Sequence, residues 1–477
     1  MNKLTFTLSL LCILTLYTSC NKWLDVQPSS QVKSSELFKT ESGFKEALAG
    51  IYTILGEDGL YGKEMTYGMM GVLAQEWKNY PSSYNDDHAY NYNGTLLENR
   101  IEKVWSSLYN AISNTNHLLS KIDDGIPFTG KNHSIIKGEA LALRAFLHFE
   151  LLRCFGVSYA VNPTQPAIPY ITEYSAKQTK QDQVQNVLAQ ILTDLKTAKE
   201  LLRNDPIFTG EIITEMNDNG YLINRQLHLN YYAIEALFAR IYLYSGQLDL
   251  AIKSAQEVIN SHKFTFASQQ DFIDRLDKSG AIEQIFGLQI NNLTQKSVNF
   301  LSQEGENQFS LDLTTKKYYL NDDPLDYRET LFAQGTLSTS NENYYLTKYM
   351  ALSTDLTNKI SNPSYYQNKM PLIKLSEMYL ILAEAQWRQG LDALPAFNAQ
   401  RKARGLTQLT AIPVDFRSEL TSEFRREFIG EGQLFHYYKR NNQATIYGTD
   451  VNMVSTKSYT FSIPVSESTS ANREPNK

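Results

Sequence analysis

The chain has 477 residues and a formal net charge of −6, with both signs of charge spread along it. This balance argues against nucleic-acid binding and against attachment to a membrane through surface charge. No stretch after the N-terminal segment approaches about 18 apolar residues, so no membrane-spanning segment is predicted. The three cysteines, Cys12, Cys20 and Cys154, are too few for a disulfide framework, so stability must come from a large hydrophobic core.

The first twenty residues have the pattern of a secretory signal. Lys3 precedes an apolar run over residues 4–17, and two small residues lead directly into Cys20. The run is short for a bilayer span, and a cysteine after small residues is typical of bacterial lipoprotein processing. We predict that residues 1–19 are removed and that acyl chains such as palmitate are attached to Cys20. The alternative is an ordinary signal peptide cut nearby, and both place the protein outside the cytoplasm.

The spacing of apolar residues after this segment is overwhelmingly helical, because apolar side chains recur at steps of three and four residues. Ser42 is a possible N-cap of the first predicted helix. In chain order, the predicted helices cover residues 44–52, 97–122, 135–155, 184–202, 227–244, 248–259, 373–388, 394–404 and 416–440.

Three of the predicted helices resemble one another, and they end at Gly156, Gly246 and Gly390. Ala251 follows Gly246 by five residues, which is the turn spacing of a tetratricopeptide hairpin, where small residues let two antiparallel helices approach closely. The predicted fold is therefore mainly α, with tetratricopeptide-like helix hairpins that form one scaffold. Generic helix hairpins remain the alternative.

Two segments interrupt this scaffold. Residues 56–96 are rich in Gly, Tyr, Asn and Asp, and residues 262–370 contain short alternating pieces among polar loops. Long loops on a rigid scaffold are where binding usually resides. The predicted organisation is a signal peptide over residues 1–19 and a single helical domain over residues 20–477, with irregular, loop-rich insertions at about 56–96 and 262–370.

The first insertion contains an aromatic and amide-rich run over residues 76–93. Flat aromatic rings stack on the apolar faces of sugar rings, and neighbouring Asn and Asp side chains can bond to sugar hydroxyl groups. Tyr with Ser and Asn is also the composition of adaptable binding surfaces. The alternative is that these rings fill the protein's own surface or a contact with a partner protein, since Tyr and Trp are enriched at interfaces.

No pattern typical of catalysis stands out. The seven histidines are scattered without metal-ligand spacing, and His148 is expected to be a satisfied imidazole within a helix of Leu and Phe. The sequence has no nucleophile elbow and no phosphate-cradling glycine loop. We predict a protein that is not an enzyme and that has no cofactor. Plentiful carboxylates leave a surface glycoside hydrolase as a minor alternative, although nothing marks two of them out.

Two clusters of charge are interpreted as structural. Asp322, Asp323 and Asp326 are more typical of a solvated acidic loop than of a calcium site, because Pro324 intervenes and no glycine turn follows. A second cluster has opposite charges at helical spacings, which favours pairing within the fold over ligand contact. Its members are Arg425, Arg426, Glu427 and Glu431. No metal site is predicted.

Eight stretches, in order along nearly the whole chain, together carry a family resemblance. They are Trp23–Pro28, Phe44–Tyr52, Trp105–Asn116, Gly138–Gly156, Leu375–Ala385, Phe397–Gly405, Phe424–Gly432 and Ile463–Pro464. In these stretches the chain resembles the SusD/RagB family of surface lipoproteins. The chain departs from the family at Leu434 and Tyr437, where the family commonly has Arg and Asp, and this difference indicates a divergent subgroup in which packing replaces an ion pair.

The resemblance implies a non-enzymatic, lipid-anchored nutrient-uptake protein on the outward face of the outer membrane. Such proteins lie over a SusC-like TonB-dependent transporter and capture oligosaccharides, or in some members oligopeptides, before import. The resemblance also implies an α-helical fold with tetratricopeptide-like units, and stacking aromatics in the loop between the first helices. On these grounds the predicted ligand-binding residues are Trp77, Asn79, Tyr80, Tyr84, Asp86 and Tyr90.

Overall fold

The structure is a computed structural model, and it describes residues 34–320, 323–335, 342–470 and 473–476. The predicted signal peptide, Cys20 and the stretch Trp23–Pro28 lie outside the described residues. The predicted lipid attachment and the single-domain organisation therefore stay predictions.

Helices dominate the described chain. Before residue 262, the described part of the chain contains ten α-helices. They are α1 Ser34–Leu37, α2 Glu41–Leu55, α3 Met69–Leu73, α4 Asn85–His88, α5 Thr95–Lys121, α6 Asn132–Phe155, α7 Val184–Leu201, α8 Pro206–Thr209, α9 Tyr231–Tyr244 and α10 Leu248–Asn260.

The described part after residue 262 contains shorter helices and the strands. Its α-helices are α11 Gln269–Ile273, α12 Leu293–Leu301, α13 Leu313–Leu320, α14 Thr354–Lys359, α15 Leu375–Arg388, α16 Leu394–Ala403, α17 Phe416–Glu427, α18 Gln433–Arg440 and α19 Val465–Ser470. Its strands are β1 Gln284–Gln289, β2 Leu311–Asp312, β3 Phe332–Gln334, β4 Asn343–Leu346 and β5 Lys369–Lys374.

The long helices pack as successive hairpins. Helix α6 packs between α5 and α7, α9 packs on α10, α10 on α15, and α15 on α16. The α9–α10 turn contains Gly246 at φ +75° and the α15–α16 turn contains Gly390 at φ +72°, a backbone conformation that favours glycine. Ala251 and Ala255 on α10 are fully buried, which allows the close approach of the neighbouring helices. The predicted mainly α fold with tetratricopeptide-like hairpins is confirmed.

Helix α6 lies at the centre of this scaffold, and nearly all of its side chains are buried. Cys154 is a free, buried thiol, and burial raises its pKa to about 12. The His148 ring accepts a hydrogen bond from the Ile171 N–H at 2.9 Å through Nε2, and Nδ1 lies 2.8 Å from the Arg144 carbonyl oxygen. Burial lowers the His148 pKa to about 3. Both residues lie in the core, and His148 is a satisfied imidazole, as predicted.

Two helix boundaries differ from those expected. The N-cap of α2 is Thr40, whose hydroxyl accepts the Gly43 N–H at 3.2 Å, and not Ser42. The predicted helix over 416–440 is two helices, because Gly430 and Gly432 adopt φ +74° and +71° between α17 and α18. A Cβ at Gly432 would lie 2.0 Å from the Met65 carbonyl oxygen, so this break packs tightly against residues 56–96.

The strands form two small antiparallel sheets. Strand β1 pairs with β5, and the other three strands have the order β2–β4–β3. One further bridge outside the named strands joins Asn79 to Ser310, directly before β2. This bridge holds the two predicted insertions, 56–96 and 262–370, against each other.

A buried network of ion pairs surrounds the end of α17. The Glu427 carboxylate accepts bonds from Arg404 at 2.8 Å, Lys374 at 3.0 Å and Arg328 at 3.1 Å. The Glu431 carboxylate lies 2.7 Å from the Lys348 ammonium. Burial opposes ionisation of Glu427, but these cations hold its pKa well below the usual range. The prediction of pairing within the fold is confirmed for Glu427, Glu431 and Arg426, whose guanidinium binds Glu423 at 2.9 Å. The Arg425 guanidinium instead lies over the Tyr318 ring.

Candidate functional site

A surface cleft lies where the first insertion meets the second. Asn79 fixes this junction, because its backbone pairs with Ser310 and its side-chain amide donates to Ser310 Oγ and Asn343 Oδ1, each at 3.1 Å. The cleft has a volume of about 290 Å³, and we call it the Tyr80 cleft. It is lined by Gln75, Trp77, Lys78, Tyr80, His88, Asp312, Thr314, Thr315, Tyr447 and Gly448.

Tyr80 provides an aromatic platform in this cleft. Its ring is half-buried and stacks on His88, with 4.8 Å between ring centroids and an interplanar angle of 24°. Burial and the nearby charge of Lys78 lower the His88 pKa, so the imidazole is neutral at pH 7. The stack therefore presents an uncharged, rigid aromatic surface to the cleft.

Tyr447 lines the same cleft from the other end of the chain. Its ring stacks on Tyr318 with 3.6 Å between centroids and an interplanar angle of 15°. The Arg425 guanidinium lies 3.8 Å from the centroid of Tyr318, and Arg425 also donates to the Tyr318 carbonyl oxygen at 2.9 Å. A column of three stacked groups thus holds the second aromatic residue of the cleft in place.

Gln75 and Gly448 join the two sides of the cleft floor. Gln75 has φ +58°, and its side-chain amide donates to the His88 carbonyl oxygen and to the Tyr90 hydroxyl, both at 3.0 Å. Gly448 has φ +93°, and a Cβ there would lie 3.0 Å from Gln75 Cβ. The residue at 448 must therefore be small for the loop that carries Tyr447 to close on the floor.

The structure corrects the predicted ligand contacts of Trp77, Tyr84 and Tyr90. Their exposed fractions are only 2%, 3% and 8%. Trp77 Nε1 donates to the Tyr67 carbonyl oxygen at 2.7 Å, and the Tyr84 hydroxyl donates to Glu64 at 2.9 Å. These rings pack largely in the core because the first insertion folds back on the scaffold. Trp77 reaches the cleft lining with only a small exposed area, so none of the three rings presents a free face to a sugar.

Of the other three predicted residues, only Tyr80 lines the cleft. Asp86 is absent from the lining, and its carboxylate accepts the Asn91 side-chain amide at 2.8 Å within the local turn. Asn79 is exposed, but its side chain is engaged at the junction described above. Sequence reasoning missed Tyr447, Lys78 and His88 as site residues. His88 lies within the aromatic run over residues 76–93, so the sequence could have indicated it as a site residue. Nothing in the sequence around Tyr447 distinguishes Tyr447 from other tyrosines.

A buried carboxyl group lies directly behind the cleft wall. Glu76 is fully buried, and one of its carboxyl oxygens accepts the Gly430 N–H at 3.0 Å. Its other oxygen has no hydrogen-bond partner among the described residues. Burial raises the Glu76 pKa to about 8, although the Gly430 N–H and the charge of Lys348 oppose this shift. Glu76 is therefore largely protonated at neutral pH.

The described residues contain no group of three or more His, Cys, Asp or Glu side chains that could hold a metal ion. Asp322 lies outside the described residues. Asp326 is buried and its carboxylate binds the Arg328 guanidinium at 2.8 Å, so the interpretation of a solvated loop is wrong for this residue. Within the described chain, no helix combines the length and the apolar character that a membrane crossing requires.

A larger surface cavity of about 760 Å³ lies beside the C-terminal residues. Its lining contains no aromatic side chain and consists of Pro166, Gln178, Lys180, Gln181, Asp182, Gln183, Asn186, Arg473 and Glu474. The Tyr80 cleft is smaller, but it combines two stacked aromatic residues with polar neighbours. It is the better candidate for recognition of a ligand.

Comparisons with known proteins agree with this architecture. A family model described as SusD-like, "Starch-binding associating with outer membrane", matches residues 22–243. SusD-like protein P38 of Formosa agariphila is 24% identical over 93% of this chain and 92% of its own length.

Solved structures show the same fold. A SusD superfamily protein from Bacteroides thetaiotaomicron has a TM-score of 0.71 at 23% identity, covering 92% of this chain and 100% of the other. A laminarin-binding SusD-like protein has a TM-score of 0.67 at 20% identity, covering 92% and 99%.

The fold thus defines a protein of packed helix hairpins, with a surface cleft where its two loop insertions meet. The chain is similar to SusD-like proteins in sequence over residues 22–243, and it shares the fold of SusD superfamily structures over most of its length.

Proposed function

We propose that this protein binds oligosaccharides at the Tyr80 cleft, outside the cell, and delivers them to a partner transporter without altering them. The observation that carries the proposal is the Tyr80–His88 stack in a cleft that Tyr447 also lines. Flat rings match the apolar faces of sugars, and the side chains of Lys78, Asp312 and Thr314 supply partners for hydroxyl groups.

The relatives support a glycan as the ligand. The matching family model is described as starch-binding, and one structural neighbour is named as a laminarin-binding protein. The lining of the cleft favours binding over hydrolysis. Asp312 is its one carboxylate among the described residues, whereas glycoside hydrolases commonly use a pair of carboxyl groups flanking the scissile bond.

The cellular setting is also part of the proposal. The description of the family model places its members at the outer membrane, and the sequence around Cys20 has the pattern of a lipoprotein signal. An acylated Cys20 would tether the protein to the outer membrane, and a SusC-like TonB-dependent transporter is the expected partner. Mass spectrometry of the mature N-terminus and co-purification from membranes test these two points.

Replacing Tyr80 by alanine is expected to weaken oligosaccharide binding about tenfold or more, because an aromatic contact of about 1.4 kcal/mol is lost. Isothermal titration calorimetry with a panel of neutral and acidic oligosaccharides measures the change. The matched control is Tyr174→Ala, since Tyr174 is 55% exposed, stacks on His117 and lies outside the cleft lining.

The control variant should bind within about twofold of the wild type. Equal affinity of Tyr80→Ala and the wild type for every bound glycan would place the ligand elsewhere on the protein. Binding of oligopeptides with no binding of any glycan would instead favour a peptide receptor of the same architecture.

A further inference from the structure

Lys78 and Asp312 are the two charged groups that line the Tyr80 cleft beside the neutral His88. Lys78 is exposed, and no described carboxylate forms an ion pair with its ammonium group. Lys316, on the neighbouring α13, contrasts with it because its ammonium group is paired with Glu329. A ligand in the cleft can therefore bind the Lys78 ammonium group without breaking an ion pair within the described chain.

The carboxylate of Asp312 is bound by the protein's own backbone. Asp312 directly precedes α13, and its Oδ1 accepts the Thr315 N–H at 2.7 Å. This bond satisfies a free N–H in the first turn of the helix, where the helix dipole also favours a carboxylate. Asp312 thus stabilises the helix that forms one wall of the cleft, and its charge is partly offset there.

The charge of Lys78 acts at the aromatic platform. Lys78, Tyr80 and His88 line the same cleft, and the charge of Lys78 also contributes to the lowered pKa of His88. A sugar stacked on Tyr80 would occupy the cleft that Lys78 also lines. An anionic substituent there would meet an unpaired cation.

We propose that the Tyr80 cleft selects acidic oligosaccharides, with the Lys78 ammonium binding a carboxylate or sulfate group of a sugar stacked on Tyr80. This inference rests on the proposed function and names its substrate class. A charge-assisted hydrogen bond of this kind is stronger than one between neutral groups, so it provides discrimination against neutral glycans of similar shape.

The test compares three probes by calorimetry: tetragalacturonic acid for the carboxylate, a sulfated galactan tetrasaccharide for the sulfate, and maltotetraose as the neutral sugar. The variants are Lys78→Gln and, as a matched control, Lys402→Gln, which changes an exposed lysine outside the cleft lining. Lys78→Gln is expected to weaken binding of at least one acidic probe about tenfold, and Lys402→Gln to leave it within about twofold.

Salt dependence provides a second readout. Raising the ionic strength from about 50 mM to about 500 mM should weaken binding of the acidic probe to the wild type and have little effect on the Lys78→Gln variant. If Lys78→Gln loses binding to one acidic probe and not to the other, the affected probe identifies the carboxylate or the sulfate as the recognised group. Either result supports the inference.

The inference is overturned if Lys78→Gln binds every acidic probe as well as the wild type does. It is also overturned if only maltotetraose binds and Tyr80→Ala abolishes that binding, but the proposed function then stands. If no oligosaccharide of the wider panel binds, the proposed function itself is wrong. The Tyr80 and Lys78 variants therefore distinguish the two failures.

Discussion

Trp77→Ala is expected to lower the free energy of unfolding by about 3–5 kcal/mol, the usual cost of removing a fully packed Trp side chain. The Trp77 ring is buried and packs near Phe309, with 5.9 Å between ring centroids. The truncation also leaves the Tyr67 carbonyl oxygen, which accepts the indole N–H at 2.7 Å, without its partner. Urea unfolding followed by circular dichroism measures the loss.

Two further variants separate packing from binding. Trp77→Phe keeps much of the apolar volume but removes the indole N–H, so a smaller loss of about 1–3 kcal/mol is expected. Tyr80→Ala changes a half-buried side chain, so its effect on stability should be small beside its effect on binding. A Trp77→Ala protein as stable as the wild type that fails to bind glycans would contradict this assignment and make Trp77 a ligand contact.

The second large effect concerns Glu76 and pH. Its pKa is about 8 in the folded protein and 4.5 when unperturbed, so between these values the folded state retains a proton that the unfolded chain has lost. The contribution of Glu76 to stability is therefore complete below pH 4.5 and is lost as the pH rises toward 8. Over that window the loss is on the order of 4 kcal/mol, because each unit of pKa shift corresponds to about 1.4 kcal/mol.

Glu76→Gln isolates this contribution. An amide at position 76 has a similar shape, keeps an oxygen that can accept the Gly430 N–H, and does not ionise. The variant is needed because burial also raises the pKa of Asp87 to about 7 and that of Asp277 to about 6, which produces the same trend. Measured in urea at pH 5, 6, 7 and 8, the stability of the wild type relative to the variant should fall steadily. Parallel curves would contradict the raised pKa.

Both predictions concern groups that support the cleft from behind. Glu76 binds the backbone at the break between α17 and α18, and Trp77 packs beside it in the core. Tyr80 and Lys78, a few residues later in the same insertion, face the cleft. Within this short segment, adjacent residues therefore divide into those that stabilise the fold and those that are available to a ligand.

The helical scaffold could be predicted with good accuracy. The helices expected at 184–202, 248–259 and 394–404 are observed within one residue of those bounds. Apolar spacing is a local signal, so it survives in the sequence wherever one face of a helix is buried. The break at Gly430 and Gly432 was missed, because the apolar pattern continues on both sides. The glycines are required by contacts far away in the chain: a Cβ at Gly432 would meet the Met65 carbonyl oxygen, and one at Gly430 would meet the Leu346 side chain.

The sequence indicated a candidate segment for the site, but not which of its side chains line the cleft. The aromatic run over 76–93, which was predicted to bind a ligand from its Tyr, Asn and Asp content, contributes Tyr80 to the cleft. The same composition also describes a segment that packs its rings inward, as Trp77, Tyr84 and Tyr90 do. Residue type alone does not distinguish these two environments, since Tyr and Trp are suited to both.

By itself, the sequence determined the mainly helical fold, the family resemblance and the segment in which to look for a ligand. Only the tertiary structure decided which rings are buried and which face the cleft, and it alone brought Tyr447 and Asp312 to Tyr80. The physical reason is that helix periodicity depends on neighbours three and four residues apart. A binding cleft depends instead on contacts between insertions and a C-terminal loop that lie far apart in the chain, and no local pattern encodes those contacts.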